Sequence, residues 1–166
     1  MKYLLILLAI ASLSCNKTPN NLYEGDIYVK LIDVNNILYG LPDNKIEEFK
    51  KSISNIEQNN YSESEKKIFN YHKILINNNL YNKPHFKLKI NTGEIINVYT
   101  NNEEYLKLKK ELDSFDRYKQ KISIKFEGTK ISNGIDDPDN IFNQGIYVAN
   151  KIVSVKKEKG ATDWAK

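Results

Sequence analysis

The residues of this chain that are best suited to bind a metal ion lie in one acidic stretch. Asp137, Asp139 and Asn143 are close enough in sequence for their oxygens to meet in a single loop, which is the arrangement that calcium prefers. The stretch lacks the glycine and the glutamate that an EF-hand loop has at its sixth and twelfth positions. A solvated turn rich in Asp, Asn and Pro explains the same composition. We therefore expect no metal ion and no other cofactor.

Only two histidines, His72 and His85, are available for metal binding or proton transfer. They have neither the spacing of a zinc motif nor a nucleophile motif such as Gly-x-Ser-x-Gly beside them. His72 lies on the apolar side of a predicted helix, at the edge of the core, and His85 is expected at the surface. We predict no catalytic residue, although Asp and Glu side chains that meet only after folding could form a hydrolase site.

The chain opens with a segment that is typical of export signals. Lys2 supplies a positive charge, and the apolar run Tyr3–Leu13 follows it. A helix that spans a bilayer needs about 20 apolar residues, and this run has roughly half that number. The core of a signal peptide has this shorter length. We therefore predict that residues 1–14 are a signal peptide.

The only cysteine, Cys15, follows this segment directly. The stretch Ser12-Leu13-Ser14-Cys15 resembles the lipobox of bacterial lipoproteins, which ends in an invariant cysteine. The resemblance implies that Cys15 carries a lipid anchor in the cell envelope, since two or more acyl chains hold a protein stably at a membrane. Asn16 then implies the outer membrane, facing the periplasm, in a cell that has one. Ordinary secretory cleavage at the small residues before Cys15 is the alternative.

Composition and charge favour one globular domain that does not bind nucleic acid. The chain has 166 residues, of which 40% are hydrophobic, and this length is typical of a single domain. The net charge is only +4 and Arg117 is the sole arginine, whereas nucleic-acid binders cluster Lys and Arg. Exposed aromatic side chains on strands could still stack on bases or sugars. The candidates for such a ligand-binding surface are Tyr28, Tyr99, Phe126 and Tyr147, with core packing as the alternative.

Strand-like and helix-like patterns alternate through residues 25–157, which we predict to be a single α+β domain. A polar tether over 15–24 precedes the domain, and a tail over 158–166 follows it. The first predicted element is a buried strand over 26–34, and two helices follow it, of which the second has the capping box Ser62 and Glu65. A β-hairpin that turns at 91–94 comes next, and then a helix capped by Asn101 and Glu104. The last two predicted elements are strands over 121–131 and 145–157.

With the first two helices set aside, the order strand, strand, strand, helix, strand, strand resembles that of the OB fold. The resemblance implies an OB-like five-stranded antiparallel barrel, or a strongly curved sheet. A helical hairpin is then inserted after the first strand, and a helix lies between the third and fourth strands. An open antiparallel sheet packed on helices is the alternative.

These patterns leave several classes of function open. The leading hypothesis is an envelope lipoprotein that is not an enzyme and binds a partner protein or a small ligand. The long loop between Gly128 and Gly145 is a candidate for that role, because long loops are often functional. The alternatives are an envelope hydrolase with unrecognised carboxylates and an inhibitor or immunity protein against an exported toxin or hydrolase. Oligonucleotide binding through a barrel face conflicts with the predicted compartment.

Overall fold

The computed structural model describes residues 21–32, 42–55, 61–81, 83–116, 118–133 and 144–161. Five strands and three helices lie in these ranges. The strands are β1 (Asn21–Ile32), β2 (His85–Ile90), β3 (Ile95–Thr100), β4 (Gln120–Ser132) and β5 (Gly145–Lys159). The helices are α1 (Asp43–Ser54), α2 (Glu63–Asn77) and α3 (Asn102–Leu112).

The five strands form a closed barrel in the order β1-β2-β3-β5-β4, and β4 pairs in turn with β1. The chain passes through α3 and β4 between β3 and β5, so these two strands can run parallel, while every other pair is antiparallel. The strand order and the place of α3 are those of an OB-like barrel, and the predicted α+β class is confirmed. The parallel pair is the one departure from the predicted antiparallel pairing, and closure of the barrel excludes the open sheet.

β1 belongs to both halves of the barrel, because its first residues pair with β4 and its later residues pair with β2. Gly25 lies where the two halves meet and pairs with both neighbouring strands. A Cβ atom at Gly25 would lie 2.8 Å from the backbone oxygen of Lys89. Glycine is therefore required at the point where β1 bends around the barrel.

The observed bounds differ from the predicted ones at the ends of the strands. β1 begins at Asn21, so the last residues of the predicted tether over 15–24 are paired in the barrel. β4 continues to Ser132 and β5 to Lys159, which shortens the predicted loop and extends the predicted domain. Pairing between β4 and β5 along almost their full length explains both extensions.

Apolar side chains that alternate along the strands fill the inside of the barrel. Two leucines of α3 and a phenylalanine that follows this helix belong to the same cluster, so α3 packs against the interior. Small barrels with a filled interior have a packed core rather than a ligand cavity. The residues of this core are Ile27, Phe86, Leu88, Ile96, Val98, Leu108, Leu112, Phe115, Ile122, Ile124, Phe126, Tyr147 and Ala149.

Glu104 ties α3 to an irregular point of β5. The pairing of β4 with β5 skips Val153, and the backbone N–H of the preceding Ile152 donates to Glu104 Oε2 at 2.6 Å. Lys107 forms an ion pair with the other carboxylate oxygen. Asn101 Oδ1 accepts from the Glu104 backbone, as predicted for the start of α3, but the Glu104 side chain binds β5 instead of returning to the cap.

Candidate binding face beneath the helical hairpin

The hairpin of α1 and α2 packs on the outside of β2, β3 and β5. Leu75 of α2 and Ile146 of β5 are buried in one apolar cluster with Tyr99 of β3, and Phe49 of α1 packs against it. We call a set of six outward-facing residues, in and beside this cluster, the covered face. Its members are His85, Lys87, Asn97, Tyr99, Ile146 and Val148.

Local signals at both ends of α2 determine where this helix begins and ends. Ser62 and Glu65 form the predicted capping box, with each side chain bound to the backbone N–H of the other residue. At the other end Asn79 has a φ of 55°, and the backbone N–H of Leu80 donates to the carbonyl of Leu75 at 2.8 Å. This is a Schellman motif, and it brings Leu80 into the apolar cluster on the covered face.

A buried hydrogen-bond network joins α2 to the covered face. Asn97 Nδ2 donates to the Tyr71 hydroxyl at 2.9 Å, and the hydroxyls of Tyr71 and Tyr99 also hydrogen-bond with each other. Burial raises the pKa of both tyrosines above the ordinary value of 10.0. Both rings are therefore neutral near pH 7, and they act as hydrogen-bonding groups rather than as bases.

His72 is completely buried between aromatic rings of the hairpin and of the segment that follows it. Its ring centroid lies 5.6 Å from that of Phe49, 5.9 Å from that of Tyr71 and 5.7 Å from that of Tyr81. Burial lowers the pKa of His72 from 6.5 to about 4. His72 lies on the predicted apolar side of the helix, but it is buried among these rings rather than at the edge of the core.

His85 is also buried, which contradicts the expectation of a surface residue. Only 7% of it is exposed, and its ring stacks on Tyr99 with the centroids 4.8 Å apart. Burial and the charge of Lys87 lower the pKa of His85 to about 4, against the opposing effect of a hydrogen bond with the Lys83 backbone. The sequence places His85 at the start of a strand but does not show which side of the barrel the hairpin covers.

The sequence reading also missed Lys87, since outward-facing lysines on strands are usually solvated. Lys87 lies directly opposite Asn97 in the β2–β3 ladder and is partly buried, and this burial lowers its pKa. No carboxylate of the described residues forms an ion pair with it. The predicted alternation along β2 gave its direction, and only the folded structure shows its partial burial.

The four predicted ligand-binding aromatics lie in three different environments. Phe126 and Tyr147 point into the barrel and pack against Tyr23, at centroid distances of 5.3 and 4.9 Å. Tyr99 is buried on the covered face, and Tyr28 is partly buried on β1. Core packing, the alternative reading, therefore accounts for Phe126 and Tyr147, and the four rings do not form one stacking surface.

The lipid and metal candidates, Cys15, Asp137, Asp139 and Asn143, lie outside the described residues. Within the described ranges, no group of three or more His, Cys, Asp or Glu side chains could hold a metal ion. None of the three described helices has both the length and the apolar character that a membrane-spanning helix needs.

The opposite side of the barrel carries paired charges. We call it the open face and define it by the outward-facing residues Leu22, Glu24, Asp26, Lys121, Ser123 and Lys125 of β1 and β4. Lys121 lies 2.8 Å from Asp26, which also accepts a hydrogen bond from Ser123, and Lys125 lies 3.8 Å from Glu24. These carboxylates neutralise the lysines locally, so the open face lacks the concentrated positive charge that binds phosphate backbones.

Near neutral pH the covered face offers hydrogen bonds and one positive charge rather than proton transfer. Both histidines have a pKa of about 4 and the tyrosines have raised pKa values, so Lys87 is the charged group among its outward-facing residues. No protein-family model matches this chain, and no curated protein sequence or solved structure is significantly similar to it.

Proposed function

We propose that this protein is an envelope lipoprotein that acts as a non-enzymatic binding module for a partner protein or a small ligand. The binding role is argued from the covered face, and in particular from which of its groups a ligand can reach. OB-like barrels contact ligands through the outer side of β2 and β3 and through the adjoining loops. Here the hairpin buries most of that side, and the partly exposed Lys87 and the exposed Lys83 mark the edge where a ligand or partner can reach it.

Glu104 is not available as a hydrolase carboxylate. It is the one buried carboxylate among the residues that the structure describes, and it already binds Ile152 and Lys107. Glycoside hydrolysis generally needs two carboxylates that both face the substrate. Glu104 therefore has a structural role at the end of the barrel.

A lipid on Cys15 would hold the barrel close to the bilayer. β1 begins at Asn21, six Cα-to-Cα steps after Cys15, and six steps span at most about 22 Å when fully extended. A ligand or partner of this module therefore has to be recognised within a short distance of the membrane surface.

Metabolic labelling with a clickable palmitate tests the anchor. We expect the wild-type protein to be labelled and to fractionate with membranes, and Cys15→Ala to lose both properties. Ser14→Ala is the matched control, because it keeps a small residue before the cysteine and should keep the label. Equal labelling of Cys15→Ala, or recovery of the protein from the cytosol with Met1 retained, would contradict the anchor.

Site-specific photo-cross-linking in intact cells tests the binding role. A cross-linking residue in place of Lys83, which is exposed beside the covered face, should give a discrete adduct. The same residue in place of Leu22, on the open face, should give none. Equal adducts from both positions would count against the covered face. Turnover of cell-wall glycans or peptides by the purified protein, lost on changing one carboxylate, would overturn the non-enzymatic role.

A further inference from the structure

The buried apolar side chains of this protein form two separate clusters. The first fills the barrel, and among the described residues it contains side chains of the five strands, of α3 and of Phe115, but none of the helical hairpin. The second joins the hairpin to the outside of the barrel, through residues such as Leu75 of α2 and Ile146 of β5. Each strand also has two neighbouring strands in the closed barrel, so the hairpin is not needed to complete the sheet. The barrel therefore has its own core and its own hydrogen-bonded ladder without the hairpin.

The hairpin is held on the covered face by side chains. Within the described residues, no backbone hydrogen bond joins α1 or α2 to a strand. Water would replace the bond between Asn97 and Tyr71 if the hairpin left, so the net contribution of this bond to docking is small. The Tyr81 hydroxyl is buried in the same cluster without a hydrogen-bond partner in the described part of the chain, which is a cost of the docked state. Docking therefore depends mainly on one apolar cluster, and buried polar groups offset part of its gain.

We propose that the helical hairpin is a lid, which leaves the covered face as a unit while the barrel stays folded. OB-like barrels contact ligands through the outer side of β2 and β3. On that side Asn97 and Tyr99 are buried against α2 when the lid is closed. Opening gives solution access to the Asn97 amide and the Tyr99 ring, beside Lys87, which is partly exposed even with the lid closed. The closed lid is therefore an autoinhibitory contact, because its own side chains occupy the surface that a ligand would use.

This lid rests on the ligand-binding part of the proposed function and adds a control of access to it. Its opening is measured without a ligand and does not depend on the lipid on Cys15. A lid that fails to open would leave ligand binding at the edge of the covered face, beside Lys83 and Lys87. Opening of the lid without an adduct at Lys83 would instead remove binding at that edge and leave the lid.

Native-state hydrogen exchange of two matched variants tests whether the lid is a separate unit. Ile124 lies inside the barrel and Ile146 lies under the lid, and both are completely buried strand residues. In the wild type, the amides of α1 and α2 should exchange faster than the slowest amides of the barrel, because undocking requires less free energy than global unfolding. Ile146→Val should accelerate exchange in the hairpin by about two- to tenfold.

Ile124→Val is the decisive variant. It should accelerate the slowest barrel amides by about two- to tenfold and leave the hairpin amides unchanged, because the packing of Ile124 is the same with the lid open or closed. Equal acceleration of the hairpin and the barrel in Ile124→Val would overturn the proposal, since it would mean that the two unfold together. Both substitutions remove one methylene group, so the fold is retained in each variant.

Thiol labelling under native conditions tests whether opening uncovers the covered face. Cys15→Ala serves as the background, because it removes the only cysteine of the chain. The thiol of Ile146→Cys should react at least about tenfold faster than the thiol of Ile124→Cys, because only global unfolding exposes the inside of the barrel. Reaction of the two thiols at the same rate would refute the lid, since the covered face would then become accessible only in the unfolded chain.

Discussion

The two outer faces of the barrel use polar residues in opposite ways. On the covered face, Tyr71 and Asn97 are buried and bonded to each other, and two neutral histidines lie close by. On the open face, Asp26 pairs with Lys121 where both side chains are about one-third exposed. The strands themselves have similar alternating patterns on both sides. The difference arises from the helical hairpin, which removes water from one face only.

This difference indicates where the fold is sensitive to chemical change. Buried polar groups are costly when they lose a partner or gain a charge, whereas exposed pairs are hydrated in both the folded and the unfolded chain. We therefore expect acid, cavities and deleted hydrogen bonds to act strongly on the covered face. Similar changes on the open face should have small effects.

The largest expected effect is a loss of stability in acid that originates from the covered face. The pKa of both His72 and His85 is about 4 in the folded protein, against an ordinary value of 6.5 in the unfolded chain. Stability is therefore complete above pH 6.5 and falls as the pH drops towards 4, because the unfolded chain binds protons that the folded chain does not. We expect a fall of about 3 kcal/mol for each histidine, measured by urea unfolding at several pH values.

The double variant His72→Phe with His85→Phe should have a much flatter profile over this range, because it keeps the ring contacts and removes the titrating groups. A wild-type stability that stays constant between pH 6.5 and 4 would contradict the burial of the two rings.

Glu104 affects stability at a lower pH than the histidines do. Burial alone would raise the pKa of Glu104, but the hydrogen bonds from Lys107 and Ile152 lower it below 4.5. Its stabilising contribution is therefore lost only as the pH falls further, through its folded pKa.

The next effect in size comes from deleting a large side chain on each face. Leu75→Ala leaves a cavity where α2 packs on the barrel and should cost about 2–5 kcal/mol in the free energy of unfolding. Leu22→Ala, at a position that is 54% exposed on the open face, should change it by less than about 0.5 kcal/mol. Chemical denaturation of the two variants measures both values. Equal losses would show that the hairpin does not cover the face as described.

Removal of one hydroxyl tests the buried network. Tyr71→Phe leaves the buried Asn97 Nδ2 without its acceptor and should cost about 1–3 kcal/mol in unfolding free energy. The double variant with Asn97→Leu should recover part of this loss, since the stranded amide is gone as well. A double variant whose loss equals the sum of the two single losses would mean that the hydrogen bond adds nothing.

The smallest effect is expected from an ion pair on the open face. Lys121→Gln removes the pair with Asp26 and should cost no more than about 1 kcal/mol in unfolding free energy. Because 1 M salt reduces the screening length to about 3 Å, the difference from the wild type should almost vanish in 1 M sodium chloride. A loss that persists at high salt would place this pair in a less hydrated environment than its exposure indicates.

Local signals in the sequence were enough to predict most of the elements. The Ser62 capping box, the Asn101 cap and the alternation through β2 and β4 depend on residues a few positions apart, so they can be read without a fold. The burial of His85 and Lys87 could not be read in this way, because it depends on contacts with parts of the chain that are distant in sequence, such as the stacking of His85 on Tyr99. The bond from Glu104 to Ile152 joins residues 48 positions apart and was missed for the same reason.

The sequence by itself determined the order of the elements and the ends of α2, since both follow from the conformational preferences of neighbouring residues. The tertiary structure alone decided that β3 runs parallel to β5 and that the hairpin covers the β2–β3–β5 side. Burial changes the solvation of a side chain without changing its identity. For that reason the low pKa of His85 and the partial burial of Lys87 could be recognised only in the folded barrel.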